Sequence, residues 1–439
     1  MPAIRWTRRG FVIAIPALLL GACGGRVPAA NPTASPATAP AIIPTLTPRP
    51  SPTAAATATA APVTSPTAAN ARVASPAVIS TATTVPTVQP TEAPTAPTEV
   101  PGTTRLVRHG VTELAGGTLV GVARAGEVLS LARGAGSYPA SGTATSPELS
   151  AAFPFDTLVA SWNATAPPGT ALRCEARVRA TDRWSGWYAL GQWSAERRGS
   201  IANQRDALGT VDVDTLKLVA PARVFQYRVT LTTTSPSQTP TLRLVAVNYA
   251  NLQGALSGPR VALSPGWARD LPVPVQSQLL QEANLAWDVC SPTSLAMVLQ
   301  YWKVAVSVSE VIDGVRDQTT GIYGDWPFNT AYAGLRGMEA YVNRFTSIDD
   351  LKNEIAASRP VITSIRFAAG ELANAPITSA SGHLLVVRGF TPAGDIIVND
   401  PVAPSLAGVR RIYRRDQFAN VWLKHGGIVY QVRPLGGAG

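Results

Sequence analysis

Three side chains of this 439-residue chain have the types and spacing for thiol chemistry. Cys290 stands in Trp287-Asp288-Val289-Cys290-Ser291-Pro292-Thr293-Ser294, directly ahead of the apolar run 295–299. His383 follows Ser381-Gly382 and precedes the apolar stretch 384–390, and Asp400 closes the next such stretch in Asn399-Asp400-Pro401. A free thiol has a pKa of about 8.5 and is mostly protonated at neutral pH. A helix N-terminus offers roughly half a positive charge and unpaired N–H groups, which favour the sulfur anion. A neighbouring imidazolium favours it further. An acid beside the imidazole orients the ring and stabilises its cation. A cysteine opening a helix, a histidine opening one strand and an acid closing the next therefore argue for a cysteine hydrolase.

Such a site needs a helix and two neighbouring strands. Ser291 predicts a helix N-cap with Pro292 as the first helical residue, where proline costs no hydrogen bond. Leu295, Met297, Val298, Leu299, Tyr301 and Trp302 make this helix apolar nearly all round, so it is expected to be central and buried. Thr391-Pro392-Ala393-Gly394 reads as the turn of an antiparallel pair that brings Asp400 back towards His383. Ser347-Ile348-Asp349-Asp350 starts a second helix with a capping box, and Arg359-Pro360 ends it. Residues 361–367, 384–390, 395–399 and 428–432 read as strands. The class predicted for 268–436 is α+β, with helices first and an antiparallel sheet after them.

Other chemistries find little support. There is no Cys-x-x-Cys and no His-x-x-x-His, so neither a metal site nor a cofactor is expected. The histidines are three, His109, His383 and His425, and the first and last read as surface residues. The net charge is +10; Arg5, Arg8 and Arg9 lie in a segment expected to be removed, which leaves 10 − 3 = +7. A surplus of that size favours adhesion to anionic surfaces. No basic cluster with interleaved aromatics points to nucleic acid.

Residues 1–22 read as an export signal, with Arg5, Arg8 and Arg9 ahead of an apolar run too short to span a bilayer, which needs about 20 residues. The run ends in Leu20-Gly21-Ala22-Cys23, which resembles the lipobox of bacterial lipoproteins; that resemblance implies lipidation of Cys23 and a lipid anchor on the outer face of the membrane. Plain secretion is the alternative. Thr7-Arg8-Arg9-Gly10-Phe11-Val12 also resembles a twin-arginine export motif. Residues 23–102 are almost wholly Pro, Thr, Ala, Ser and Val, and read as a disordered tether of polyproline-II character.

Residues 103–252 read as an all-β sandwich. Leu172, Cys174, Ala176 and Val178 alternate with Arg173, Glu175, Arg177 and Arg179, which predicts a strand with one buried and one charged face. Phe225, Tyr227, Val229 and Leu231 repeat the pattern. Cys174 is expected to be a buried, inert thiol. Trp184 and Trp187, with Trp162 and Trp193, read as core and turn residues, or else as an aromatic platform for glycan or cell wall.

The order Cys, His, Asp, with Val273-Pro274-Val275-Gln276-Ser277-Gln278 ahead of it, resembles the bacteriocin-processing (double-glycine leader) peptidases and their exported relatives. These are papain-like cysteine peptidases. The resemblance implies a papain-like domain acting on a peptide or protein substrate, with Cys290 as nucleophile, His383 as base and Asp400 as orienter. It further implies that Gln278 donates to the oxyanion beside the Cys290 N–H. Ser291 replaces the glycine usual after the cysteine, and Gln278 lies twelve residues before Cys290 across an inserted loop, 279–286. Gln276 and Gln281 are rivals for its role, and Asn399 is a second candidate orienter. Trp326, in Gly324-Asp325-Trp326-Pro327, reads either as groove or as packing. The function expected is a surface-anchored cysteine peptidase or amide hydrolase. The alternatives are a non-catalytic adhesion lipoprotein and an acyltransferase or transpeptidase with the same three residues.

Overall fold

The computed structural model describes residues 103–259 and 261–436, and ahead of them only the backbone of two paired three-residue strands, Arg5–Thr7 and Gly10–Val12. Cys23 and the tether 23–102 lie outside the described residues. The molecule is sheet-rich, with few helices.

The first half holds twelve strands: β1 Thr104–His109, β2 Thr118–Val120, β3 Val122–Ala125, β4 Val128–Leu131, β5 Ser141–Thr145 and β6 Leu149–Thr165. These continue as β7 Thr170–Arg179, β8 Tyr188–Ser194, β9 Arg198–Gly199, β10 Gly209–Asp212, β11 Thr215–Thr233 and β12 Thr241–Ala250. They form one continuous antiparallel network along the path 9-8-7-11-6-12-4-3, where separate sandwich sheets were expected. The two long strands account for this. β11 pairs with β6 at Thr215–Lys217, shifts register, and then pairs with β7 from Val224 to Thr233. Phe155, Phe225 and Tyr249 fill the fold, with ring centroids 5.3–5.9 Å apart.

The charged face predicted for β7 is only partly open to water: Arg173 is exposed, Arg177 and Arg179 are half-buried. Glu175 is buried because Arg228 at 2.6 Å and Arg173 at 3.4 Å neutralise it. Arg177 stacks between Trp184 (4.3 Å) and Trp187 (4.7 Å), Arg179 covers Trp184 and Arg228 covers Trp187. Guanidinium groups thus occupy ring faces that a sugar would need. Cys174 is fully buried, as its place in the alternation predicts. His109 is half-buried, its Nδ1 2.5 Å from the Tyr227 hydroxyl, where a surface residue was expected.

The second half carries the helices α2 Cys290–Tyr301, α3 Val308–Val315, α4 Trp326–Leu335, α5 Ile348–Ala356 and α6 Arg415–Leu423, after a short α1, Val111–Ala115. Its strands are β13 Met338–Arg344, β14 Val361–Phe367, β15 Ala380–Phe390, β16 Ile396–Asn399, β17 Arg410–Tyr413 and β18 Ile428–Pro434. They form a six-stranded antiparallel sheet of order 13-18-14-15-16-17. Ser347 caps α5 through the expected box with Asp350.

The halves share a core. Trp162 and Trp193 of the first pack on Phe328 of α4, at 6.1 and 5.7 Å. A Cβ at Gly191 would come within 3 Å of both Trp162 and Phe328, so only glycine fits there. Strand β13 is an edge, and its outward backbone groups are satisfied by side chains of the first half. Asn163 donates to the Ala340 carbonyl (2.6 Å) and accepts from the Ala340 N–H (3.1 Å), and Ser161 accepts from Val342 (3.1 Å). Asn163 is fully buried. Asn163→Ala leaves both Ala340 groups unpaired and is expected to cost about 2–4 kcal/mol, measured as a lowered denaturation midpoint.

Candidate active site

Helix α2 starts two residues earlier than expected. Val289 is its N-cap, Cys290 its first residue, and Pro292 lies in the first turn, where its missing N–H still costs nothing. Ser291 does not cap because its hydroxyl meets that of Tyr430 on β18, at 3.0 Å. One turn on, the Ser294 hydroxyl donates to the Leu384 carbonyl of β15 at 3.1 Å. These two bonds lock the start of the cysteine helix onto the sheet, next to His383. As expected, the run Leu295, Ala296, Met297, Val298, Leu299 is fully buried.

β15 begins at Ala380, so His383 lies within the strand rather than opening it. The β15–β16 register pairs Val386 with Asn399. Carried one residue further, it sets Asp400 opposite Leu385, on the same face as His383, and turns Asn399 to the other face. Gly394, at φ +90°, makes the connecting turn possible. The His383 Nε2 accordingly meets Asp400 Oδ1 at 2.9 Å, both side chains being buried. Asn399 serves elsewhere: Arg388 donates to it at 3.0 Å, and its amide donates to the Pro274 carbonyl at 3.0 Å.

Asp400 is held on all sides. Its N–H donates to Val409 O at 2.8 Å, and its Oδ1 also accepts from the Val402 N–H at 3.0 Å. Its Oδ2 accepts from the Tyr413 hydroxyl at 2.6 Å. Tyr413 is fully buried on β17.

Burial alone would lower the pKa of His383. The charge of Asp400 and its hydrogen bond outweigh that, hydrogen bonding and charge at Cys290 add to it, and the pKa is raised to about 10. Burial would raise Asp400, but the charge and hydrogen bond of His383, then Tyr413 and Val402, hold it below the usual carboxylate range. At neutral pH the pair is thus imidazolium and carboxylate. Since Nε2 faces Asp400, the ring turns Nδ1 towards the thiol.

Gln278 opens the short 3-10 helix Gln278–Leu280 and is fully buried. Its N–H donates to the Pro401 carbonyl (2.9 Å) and its amide to the Ala286 carbonyl (2.8 Å), between the segment after Asp400 and the loop before Cys290. The two rivals are both engaged by other partners. Gln276 is bonded to Gln300, ten residues or about 15 Å along α2 from Cys290, and Gln281 to Ser277.

Tyr413, Tyr430 and Asp214 were missed in the sequence. Asp214 belongs to the first half, beside Val213, a β-branched residue at φ +58° in the β10–β11 turn. It is buried and accepts from the Trp326 N–H at 3.0 Å. Burial pushes the Tyr430 hydroxyl well up and Ser291 opposes it, while Asp214, Cys290 and Asp325 push it further. Asp214 thus brings the first half against the start of α4. Trp326 is buried packing at the start of α4 that also borders a cavity. His425 lines the same cavity, half-buried, where an open surface loop was expected.

A thiol at a helix start facing an imidazole–carboxylate pair on neighbouring strands is the layout of cysteine peptidase domains. Residues 270–430 match the model of the Peptidase_C39 like family and residues 105–250 that of the peptidase C39 N-terminal domain. No curated protein matches it. Among solved structures it is similar to a double glycine motif protease from an AMS/PCAT transporter, crystallised with the leader peptide. Identity is 22% and the TM-score 0.27, over 39% of this chain and 96% of that one. A putative C39-like peptidase from Bacillus anthracis matches at 18% identity and a TM-score of 0.28, over 38% of this chain and 98% of that one.

Proposed function

We propose that the chain is an exported cysteine peptidase, lipid-anchored through Cys23 and carried on the tether 23–102, with the sites and boundaries drawn from its sequence. His383 holds, as imidazolium, the proton given up by Cys290, and the sulfur attacks a peptide carbonyl carbon. The oxyanion accepts from the Cys290 N–H and the Gln278 amide. The C–N bond breaks, His383 returns the proton to the leaving amine, and an acyl thioester remains. Water, deprotonated by His383, then releases the acid and regenerates the thiol. Asp400 orients the ring and balances its charge, and Tyr413 positions Asp400.

The observation that carries this reading is the buried His383–Asp400 contact at 2.9 Å beside the Cys290 helix start. Cys290 and His383 both lie below the surface, at 1% and 0% exposure, so a small electrophile reports directly on access to the thiol. Iodoacetamide added to the folded protein at pH 7 is expected to alkylate Cys290 far faster than Cys174, as read by peptide mapping. Burial and the neighbouring Glu175 keep the Cys174 thiol protonated. Equal, slow labelling of both would count against the peptidase reading.

A further inference from the structure

The sequence offers the cysteine helix a start that the fold does not use. Ser291 is a preferred N-cap and Pro292 a preferred first helical residue, so the local chain favours a helix that begins at Pro292 and leaves Cys290 outside it. In the fold the cap is Val289, a poor capping residue that makes no side-chain cap bond, and Cys290 is the first helical residue. The Thr293 N–H closes this extension onto the Val289 carbonyl at 3.1 Å.

A group 139 residues away opposes the local preference. The Ser291 hydroxyl, which the shorter helix would need as its cap, lies 3.0 Å from the Tyr430 hydroxyl. Both residues are fully buried. Tyr430 sits within β18, paired with Val342 on one side and Ile362 on the other, so the sheet fixes its place. A capping Ser291 would turn its hydroxyl to the N–H of Thr293 or Ser294 and strip the buried Tyr430 hydroxyl of this partner. Burial keeps Tyr430 protonated well above neutral pH, so the contact itself does not titrate where a thiol does.

We infer that Tyr430 is a positioning residue: by engaging the Ser291 hydroxyl it denies the helix its later start and keeps Cys290 in the first turn; its bearing on turnover rests on the peptidase reading above. A cysteine released from that turn loses the positive end of the helix dipole and its fixed approach to His383.

The test alkylates the full chain with iodoacetamide from acid to alkaline pH and follows the rate at Cys290 by peptide mapping. Tyr430→Phe keeps the ring and frees Ser291. The midpoint of the rate profile is expected to rise by about one unit, and kcat to fall about tenfold with KM within about twofold. Adding Ser291→Ala removes the competing cap, and both values should return most of the way. The charged groups around the pair, His383 with Asp400 and Asp214 with Asp325, are the same in every variant. A bond that only holds the fold together would lower the denaturation midpoint in Tyr430→Phe and leave the alkylation profile in place. That result overturns the inference, as does a shift that Ser291→Ala fails to reverse, or loss of the native far-ultraviolet spectrum in Tyr430→Phe. An unmoved profile with hydrolysis by the unmutated chain leaves the peptidase reading intact. A shift and its reversal in a chain that cleaves no peptide does the reverse.

Discussion

Cys290→Ala is expected to lower kcat/KM on any peptide the unmutated chain cleaves by at least about four orders of magnitude, while Cys174→Ala leaves it within about twofold. The residual rate in the first variant would come from binding and the oxyanion donors, which survive. Cys290 is buried in the first turn of α2, and removing one sulfur atom leaves the Ser291–Tyr430 and Ser294–Leu384 bonds in place. An unchanged far-ultraviolet spectrum therefore belongs to the prediction. Turnover that persists in Cys290→Ala would assign the reaction to some other group.

The second large effect is expected at Asp400. Asn at 400 keeps the shape and can still accept from the ring, but it removes the charge that raises His383. Burial, which lowers the imidazole pKa, is then no longer outweighed. The imidazolium is lost at lower pH, so the alkaline limb of the kcat/KM profile should move down by more than about one unit. At pH 7 the loss should be about 10²–10⁴-fold. Tyr413→Phe is the contrasting case. It leaves the charge and removes one donor that holds Asp400 down, so the acid limb should move up while the alkaline limb stays. Stability follows the same logic. A raised His383 contributes fully below its ordinary 6.5 and loses that contribution as pH climbs through about 10. A lowered Asp400 contributes above its ordinary 3.8 and loses it as pH falls. Asp400→Asn should thus cost most stability near pH 5 and least near pH 10, read as the shift in denaturant midpoint. A cost independent of pH would argue against the ion pair.

Much of this site was legible because its geometry is local. His383 and Asp400 lie on two strands joined by a short turn, and residue parity alone puts them on one face. The buried helix announced itself through five successive apolar residues after Thr293 and Ser294. The parts that stayed hidden depend on contacts between distant segments. Tyr413 ends a four-residue strand, too short to display a period, and its hydroxyl acquires meaning only through Asp400. Ser291 has the side chain of a cap, but Tyr430, 139 residues on, engages it instead. β13 was not recognised as a strand. Trp184 and Trp187 left open a sugar-binding reading, and only the placement of Arg177, Arg179 and Arg228 over their rings decides for internal stacking.

The cover that the first half lays over β13 has a practical consequence for anyone who would trim the molecule. A fragment cut at the interdomain connection would present bare main-chain donors and acceptors along Ala340 and Val342, with the Phe328 ring stripped of its two indole neighbours. Such a border recruits other chains, so the excised C-terminal piece should precipitate on expression instead of yielding a minimal enzyme. The smallest soluble unit worth purifying begins ahead of Thr104.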